Sequence, residues 1–206
     1  MRIRKDPEIR KKELLDAALE LFSSVGYEKT MVVDIVKRAG VAKGTFFYYF
    51  PTKEAVLEAI CMQWANEFAT AFYLHTMNYS SLDKINAFLF DLMQPSAIDN
   101  LLDQLWDRGQ FEIFFKVWQK QVEEVFNPLL FAMIEEGNKE KTMRVIAIEE
   151  SLAFFWSTLE CLWEALYLKN SAIMIEHKIK IAEFMLEQLL GIEKGRIKIW
   201  RTKLIG

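Results

Sequence analysis

Apolar side chains recur at steps of three and four residues along almost the whole chain, and that one period decides the fold class. Leu15, Ala18, Leu19 and Phe22 fall at i, i+3, i+4 and i+7, which is one face of a helix. Val145, Ile148, Leu152, Phe155, Leu159, Leu162 and Leu166 step by 3, 4, 3, 4, 3 and 4, the spacing of a coiled-coil seam. Ile175, Ile179, Ala182, Leu186 and Leu189 repeat that stepping. Residues 110–136 sustain the same period from Phe111 to Met133, with Pro128 inside. That proline should kink the helix by freeing the Glu124 carbonyl. Strand-type alternation is confined to the tail. The expected fold is all-α with about nine helices.

Composition agrees. Of 206 residues, 52% are hydrophobic and 27% charged, which excludes a disordered chain. Cys61 and Cys161 make no disulfide framework and suit a reducing compartment. The N-terminus has no apolar core of a signal peptide, and no apolar run nears the roughly 18 residues of a spanning helix. A cytoplasmic protein with no membrane partner is expected. The net charge of −3 hides an asymmetry: residues 1–53 carry 11 Lys+Arg against 7 Asp+Glu, and the remainder carries 15 against 22. A basic region of +4 can meet a polyanion, while a body of −7 is pushed away from it and orients the approach.

The basic region is also the most finely punctuated. Gly26 suits a left-handed cap closing the first helix, and Thr30 can cap a short second one carrying Ile35 and Val36. Gly40 ends that helix after about two turns. A third must fit between Val41 and Phe50, because Pro51 disfavours helix at the residue before it. Thr52 then caps a longer helix whose apolar stripe is Ile60, Trp64, Phe68 and Phe72. Two short helices joined by the tight turn Ala39–Gly40–Val41, after a longer amphipathic helix, form a helix-turn-helix pattern. Any compact three-helix corner could share that pattern, so the residue identities decide.

The stretch GYEKTMVVDIVKRAGVAKGTFFYYFPTKEAVLEAI, residues 26–60, resembles the DNA-binding domain of the tetracycline-repressor (TetR) family. It keeps the Gly-aromatic pair after helix 1, the Asp-Ile of helix 2, the Ala-Gly-Val turn, Lys-Gly-Thr, the aromatic run into Phe-Pro, and Lys-Glu opening helix 4. The resemblance implies double-stranded DNA as a partner, with residues 42–48 as a recognition helix in the major groove. Lys43, Gly44 and Thr45 match positions that touch base edges or neighbouring phosphates, and Thr30 opens the helix-turn-helix. Phe47, Tyr48 and Tyr49 match an aromatic triplet reaching the backbone, and Lys53 matches a lysine pinning a phosphate. Lysine chemistry suits guanine O6/N7 or phosphate, and a threonine methyl suits thymine.

Departures from the pattern matter. The first aromatic of the triplet is usually Tyr; here Phe47 has no hydroxyl. Helix 2 usually carries a second Ser/Thr and then Arg or another polar residue, where this chain has Met31 and Val33. Helix 2 should therefore make fewer polar contacts with DNA. The basic arm of Arg2, Arg4, Lys5, Arg10, Lys11 and Lys12 could add phosphate contacts.

By the same resemblance, residues 1–53 form the DNA-binding domain and residues 54–206 an effector-binding and dimerisation domain. Pairing of the two last seams from each of two subunits would give a four-helix bundle and a homodimer. The expected function is a ligand-responsive regulator, a repressor released by a small molecule. The alternative is a helical hydrophobe-binding protein or enzyme without DNA binding. No catalytic signature, metal site or cofactor is expected: His75 and His177 lie about 100 residues apart with no ligand-spaced partner. Aromatics make up 14% of the chain. Trp64, Phe68, Phe72 and Trp106 are effector candidates, as are Phe111, Phe114, Phe115 and Trp118. Trp156, Glu160 and Trp163, with Tyr167, lie at helical spacing, where a carboxylate among aromatic faces could hold a cation. The effector is expected to be apolar or aromatic, in its bolder version a cationic amphiphile. The tail from Lys194 onward, with five basic residues and no acidic one, could be a short strand, a contact for an anionic surface, or locally packed or loose chain.

Overall fold

Asp6 opens the first helix by accepting the Glu8 amide at 2.8 Å, and Pro7 occupies the position where a missing N–H costs nothing. From there the computed structural model, which describes residues 6–168 and 170–199, is helical almost throughout, and no strand occurs among the described residues. The elements are α1 (Pro7–Ser24), α2 (Val32–Arg38), α3 (Lys43–Tyr49), α4 (Lys53–Thr76), α5 (Ser81–Leu92), α6 (Asp99–Asp107) and α7 (Phe111–Gln121). A π-helical turn (Val122–Phe126) leads into α8 (Asn127–Glu140), followed by α9 (Ile148–Tyr167) and α10 (Ala172–Leu190).

The π turn is how the chain accommodates Pro128. Proline has no N–H to donate, and its ring crowds the carbonyl four residues back. One wider turn directly ahead of it absorbs the mismatch. Counted through that turn, the described helices number nine.

The chain divides into two compact units: residues 1–65 with 97–121, and residues 66–96 with 122–206. In the first, α1 buries Leu14, Leu15, Ala18 and Phe22, which pack with Ile35, Phe46 and Phe50 from the short helices among the core residues. Gln104 of α6 donates to the Ser23 carbonyl at 2.9 Å, and Gln110 is hydrogen-bonded to Glu28. The Arg108 guanidinium lies over Gly26, where a Cβ would come within 2.7 Å of it; φ there is +100°. The positive φ selects glycine at that corner, since the arginine end can move aside. α7 reaches α4 through Lys116 to Glu54 and Glu58, and Lys120 to Glu58.

The second unit is built round a ring cluster. Phe88 lies 5.8 to 6.4 Å, centroid to centroid, from Phe68, Phe72, Phe126, Phe155 and Trp156. Edge-to-face pairs such as Phe68–Phe88 and Phe72–Phe88 each add about 0.5–1.5 kcal/mol beyond burial. The two seams of α9 and α10 correct an expectation. Leu152, Phe155, Leu159, Leu162, Ile175, Ile179, Ala182 and Leu186 are buried within their own unit, so they are core and not a surface for a second subunit. Different residues are left exposed: Phe154 on α9, Leu168 just past its end, and Ile173, Met174, Ile181, Phe184 and Met185 on α10. A 3–4 spacing identifies an apolar stripe but not what lies against it.

The tail is locally packed as far as it is described. Residues 196–199 take no regular secondary structure and are held by side chains. The Ile197 and Ile199 amides donate to Glu187 and Glu183 at 3.1 and 3.0 Å, and Asn86 both accepts from the Lys198 amide and donates to the Arg196 carbonyl. Ile197 and Ile199 are buried. Trp200 and the residues beyond it, like Arg2, Arg4 and Lys5 of the basic arm, lie outside the described residues.

Candidate nucleic-acid interface

The turn between α2 and α3 is set by Gly40, at φ +64°. The Gly40 amide donates to the Lys37 carbonyl and that of Val41 to Val36, the paired bonds of a helix end closed by a left-handed residue. A Cβ at Gly40 would meet nothing within 4 Å, so conformation alone selects glycine there. α3 then turns Phe46 and, just past its end, Phe50 inward, at 0% and 3% exposure, an i, i+4 pair whose rings lie 6.0 Å apart. The opposite positions face solvent: Lys43, Gly44, Phe47 and Tyr48 are exposed, while Thr45 and Tyr49 are half-buried. The Lys43 ammonium lies 5.8 Å over the Phe47 ring. Gly44 has open space around it, so no intramolecular packing requires a glycine there.

Two residues expected to meet DNA are placed differently. Thr30 is 2% exposed and does not cap α2; its hydroxyl donates to the carbonyls of Gly26 at 2.8 Å and Leu21 at 3.3 Å. The N-terminal position of α2 is Met31, whose amide donates to the Asp34 carboxylate at 3.0 Å. Lys53, at the start of α4, points back into its own unit. Its ammonium donates to the carbonyls of Tyr27, Glu28 and Thr30 at 2.7, 3.2 and 3.1 Å and lies 4.3 Å over the Tyr27 ring. All three N–H groups thus have acceptors. Burial lowers the Lys53 pKa, opposed by Glu28, and burial together with Glu54 pushes the Tyr27 phenol up to about 12. No spacing rule points to this role, because the acceptors are backbone carbonyls 23 to 26 residues away. Thr52 does cap α4, accepting the Ala55 amide at 3.0 Å.

Arg38 is also occupied. It forks onto Glu20 of α1, with N–O distances of 3.1, 2.8 and 2.6 Å, and ties α2 to α1. Arg10 pairs with Glu13 at 2.7 Å. At the start of α2, Met31 and Val33 are exposed. The outward face of α2 and α3 therefore carries Met31, Val33, Phe47 and Tyr48 beside two exposed lysines, Lys37 and Lys43, while Arg38 and Lys53 are engaged within the chain.

The candidate effector residues fall into two groups. In the first unit Trp106 is 4.9 Å from Phe111, 5.7 Å from Phe114 and 6.4 Å from Phe115. Phe111 and Phe115 are exposed, Trp106 and Trp64 are half-buried, and Phe114 and Trp118 are buried. In the second unit Phe68, Phe72 and Trp156 belong to the Phe88 cluster. Trp156 is buried and its indole N–H donates to Asn127 at 2.7 Å, a partner that periodicity could not find. Glu160 is exposed and Trp163 half-buried.

Comparison with known proteins bears on the first unit most directly. The sequence model of the bacterial regulatory proteins of the tetR family matches residues 14–60. The HTH-type transcriptional regulator YvdT of Bacillus subtilis is 48% identical over 48 residues, 23% of this chain and 25% of that protein. RutR of Escherichia coli is 44% identical over 54 residues, 26% of each chain. The chain thus matches about a quarter of the length of these relatives. Among solved structures, the fatty acid degradation regulator FadR from Bacillus halodurans superposes with a TM-score of 0.62 at 19% identity, over 95% of this chain and 100% of that one. RolR in complex with resorcinol superposes with a TM-score of 0.68 at 16% identity, over 91% and 90%. At such identities the likeness is one of fold.

Proposed function

We propose, on the match of residues 14–60 to the model of the tetR family of bacterial regulatory proteins, that the whole chain is a ligand-responsive transcriptional regulator that binds duplex DNA as a homodimer. The observation that carries this reading is α3, which keeps Phe46 in the core and turns Lys43, Gly44, Phe47 and Tyr48 outward on a glycine-closed turn. A helical hydrophobe-binding protein or enzyme without DNA binding gives no reason for that face. Residues 1–53 serve the DNA and residues 54–206 the effector and the dimer. No helix among the described residues is long and apolar enough to cross a membrane.

The second subunit would cover the exposed apolar residues of α9 and α10, above all Phe154, Ile181, Phe184 and Met185. A two-fold axis through such a pair places two recognition helices on one face of the DNA, with half-site centres roughly 34–36 Å apart. Occupying such a site within a promoter excludes polymerase, so the regulator acts as a repressor. The effector is apolar or aromatic and meets the partly open rings of Trp106, Phe111 and Phe115. Arg108 and Gln110 lie between those rings in sequence and hold the Gly26–Glu28 corner, so a ligand that moves them disturbs the short helices. DNA then weakens effector binding by the factor by which effector weakens DNA binding.

Titration of mixed-sequence duplex DNA at several salt concentrations tests the DNA contact, and sedimentation at micromolar concentration tests the dimer. The reading expects affinity that falls linearly on a logarithmic salt axis and a dimer that Phe184→Glu splits. Salt-independent or absent DNA binding overturns the function, and a monomeric wild type overturns the dimer. For the effector, a ligand at 100 times its Kd stabilises by about 2.7 kcal/mol. A thermal-shift screen answered only by small polar anions overturns the apolar class.

A further inference from the structure

The exposed face of the two short helices holds more hydrocarbon than charge. Met31 is 61% exposed and Val33 52%, both at the first turn of α2, and Tyr48 is 80% exposed on α3. In the first turn of α2 the polar side chain, Asp34, accepts the Met31 amide, and Arg38 forks onto Glu20, while Lys37 stands exposed one turn beyond Val33. Lys53 is closed on three carbonyls. The residues at this turn can therefore discriminate base pairs only by apolar contact. The major groove offers one apolar group on a base edge, the C5-methyl of thymine. Resting on the DNA-binding reading above, we propose that Val33 and Met31 read thymine methyl groups, so that the half-site carries thymine where the first turn of α2 enters. The selection there is made by the methyl and not by a hydrogen bond.

The test uses the full chain. Duplexes enriched from a random pool are sequenced, and each conserved thymine is then replaced singly by deoxyuridine, which removes the methyl and keeps every hydrogen-bonding group. Burial of one methyl-sized group at ~0.8 kcal/mol corresponds to about a fourfold change in affinity. Deoxyuridine at the contacted positions is expected to weaken binding about fourfold each. Val33→Ser should abolish that sensitivity at its own position without changing the salt slope, because no phosphate contact is lost. Val33 is exposed, so the variant keeps its fold, which a thermal melt checks. Affinity unchanged by deoxyuridine at every position, or a conserved half-site without thymine, overturns the methyl reading while leaving DNA binding intact. A chain that enriches no duplex at all overturns both this inference and the function it rests on.

Discussion

The helix-turn-helix corner and the aromatic unit achieve order by opposite means. The corner, α1 to the start of α4, is held largely by polar groups aimed at backbone: the Lys53 ammonium on three carbonyls, the Thr30 hydroxyl on two, and two glycines at positive φ. Its outward face keeps Tyr48, Met31 and Val33 in solvent. The unit of α5, α8, α9 and α10 is held by rings against rings, with Phe88, Phe126 and Phe155 at 0% exposure. Backbone-directed bonds demand a particular residue at a particular place. Ring packing demands volume and tolerates rearrangement. The first kind of order leaves a motif in the sequence, and the second leaves only a period.

The comparison can be broken at several points, beginning with the ring cluster. Phe88→Ala should cost about 3–5 kcal/mol, read by chemical denaturation, because five neighbouring rings lose their common partner. A loss below 1 kcal/mol would mean that the unit does not depend on ring packing.

Lys53→Ala follows at about 1.5–3 kcal/mol, since three charge-assisted bonds and their carbonyls are left open. A thermal melt decides between the two jobs for this residue. Unchanged stability with a shallower salt slope would return Lys53 to the role of phosphate clamp.

Smallest is Glu58→Gln, about 0.2–1 kcal/mol, because Lys116 and Lys120 are largely exposed. Burial pushes the Glu58 carboxyl up, but the hydrogen bonds from Lys120 and Lys116 outweigh it and leave the pKa below the usual 4.5. That contribution to stability is present above pH 4.5 and is lost as the pH falls through the lower folded value. The variant should flatten the acid limb of the stability profile, and an unaltered limb would show that the ion pairs are too solvated to matter.

The same contrast explains what could be read from the sequence. Gly26, Gly40 and Thr52 were legible because each answers a local backbone need. Thr30 and Lys53 were legible as important residues, but their partners were not, since the carbonyls they satisfy lie 4 to 26 residues away and carry no side-chain signature. In the second unit the stepping of Leu152, Leu159 and Ile179 identified helices correctly and misassigned their apolar faces, because a buried stripe and an interface stripe share one period. Asn127, the partner of the Trp156 indole, was out of reach of any spacing rule across the π turn. The resemblance supplied the fold and the recognition helix. The bond from the Met31 amide to Asp34 at the start of α2 has no counterpart in that resemblance.

The account's central claim is that two copies of the α2–α3 face meet one duplex. Hydroxyl-radical footprinting of the full chain on an enriched duplex tests it most directly. The account predicts two protected patches on the same face of the DNA, about one helical turn (roughly 34–36 Å) apart and related by a two-fold axis in the sequence. A single protected patch, or uniform protection with no preferred sequence, would contradict it.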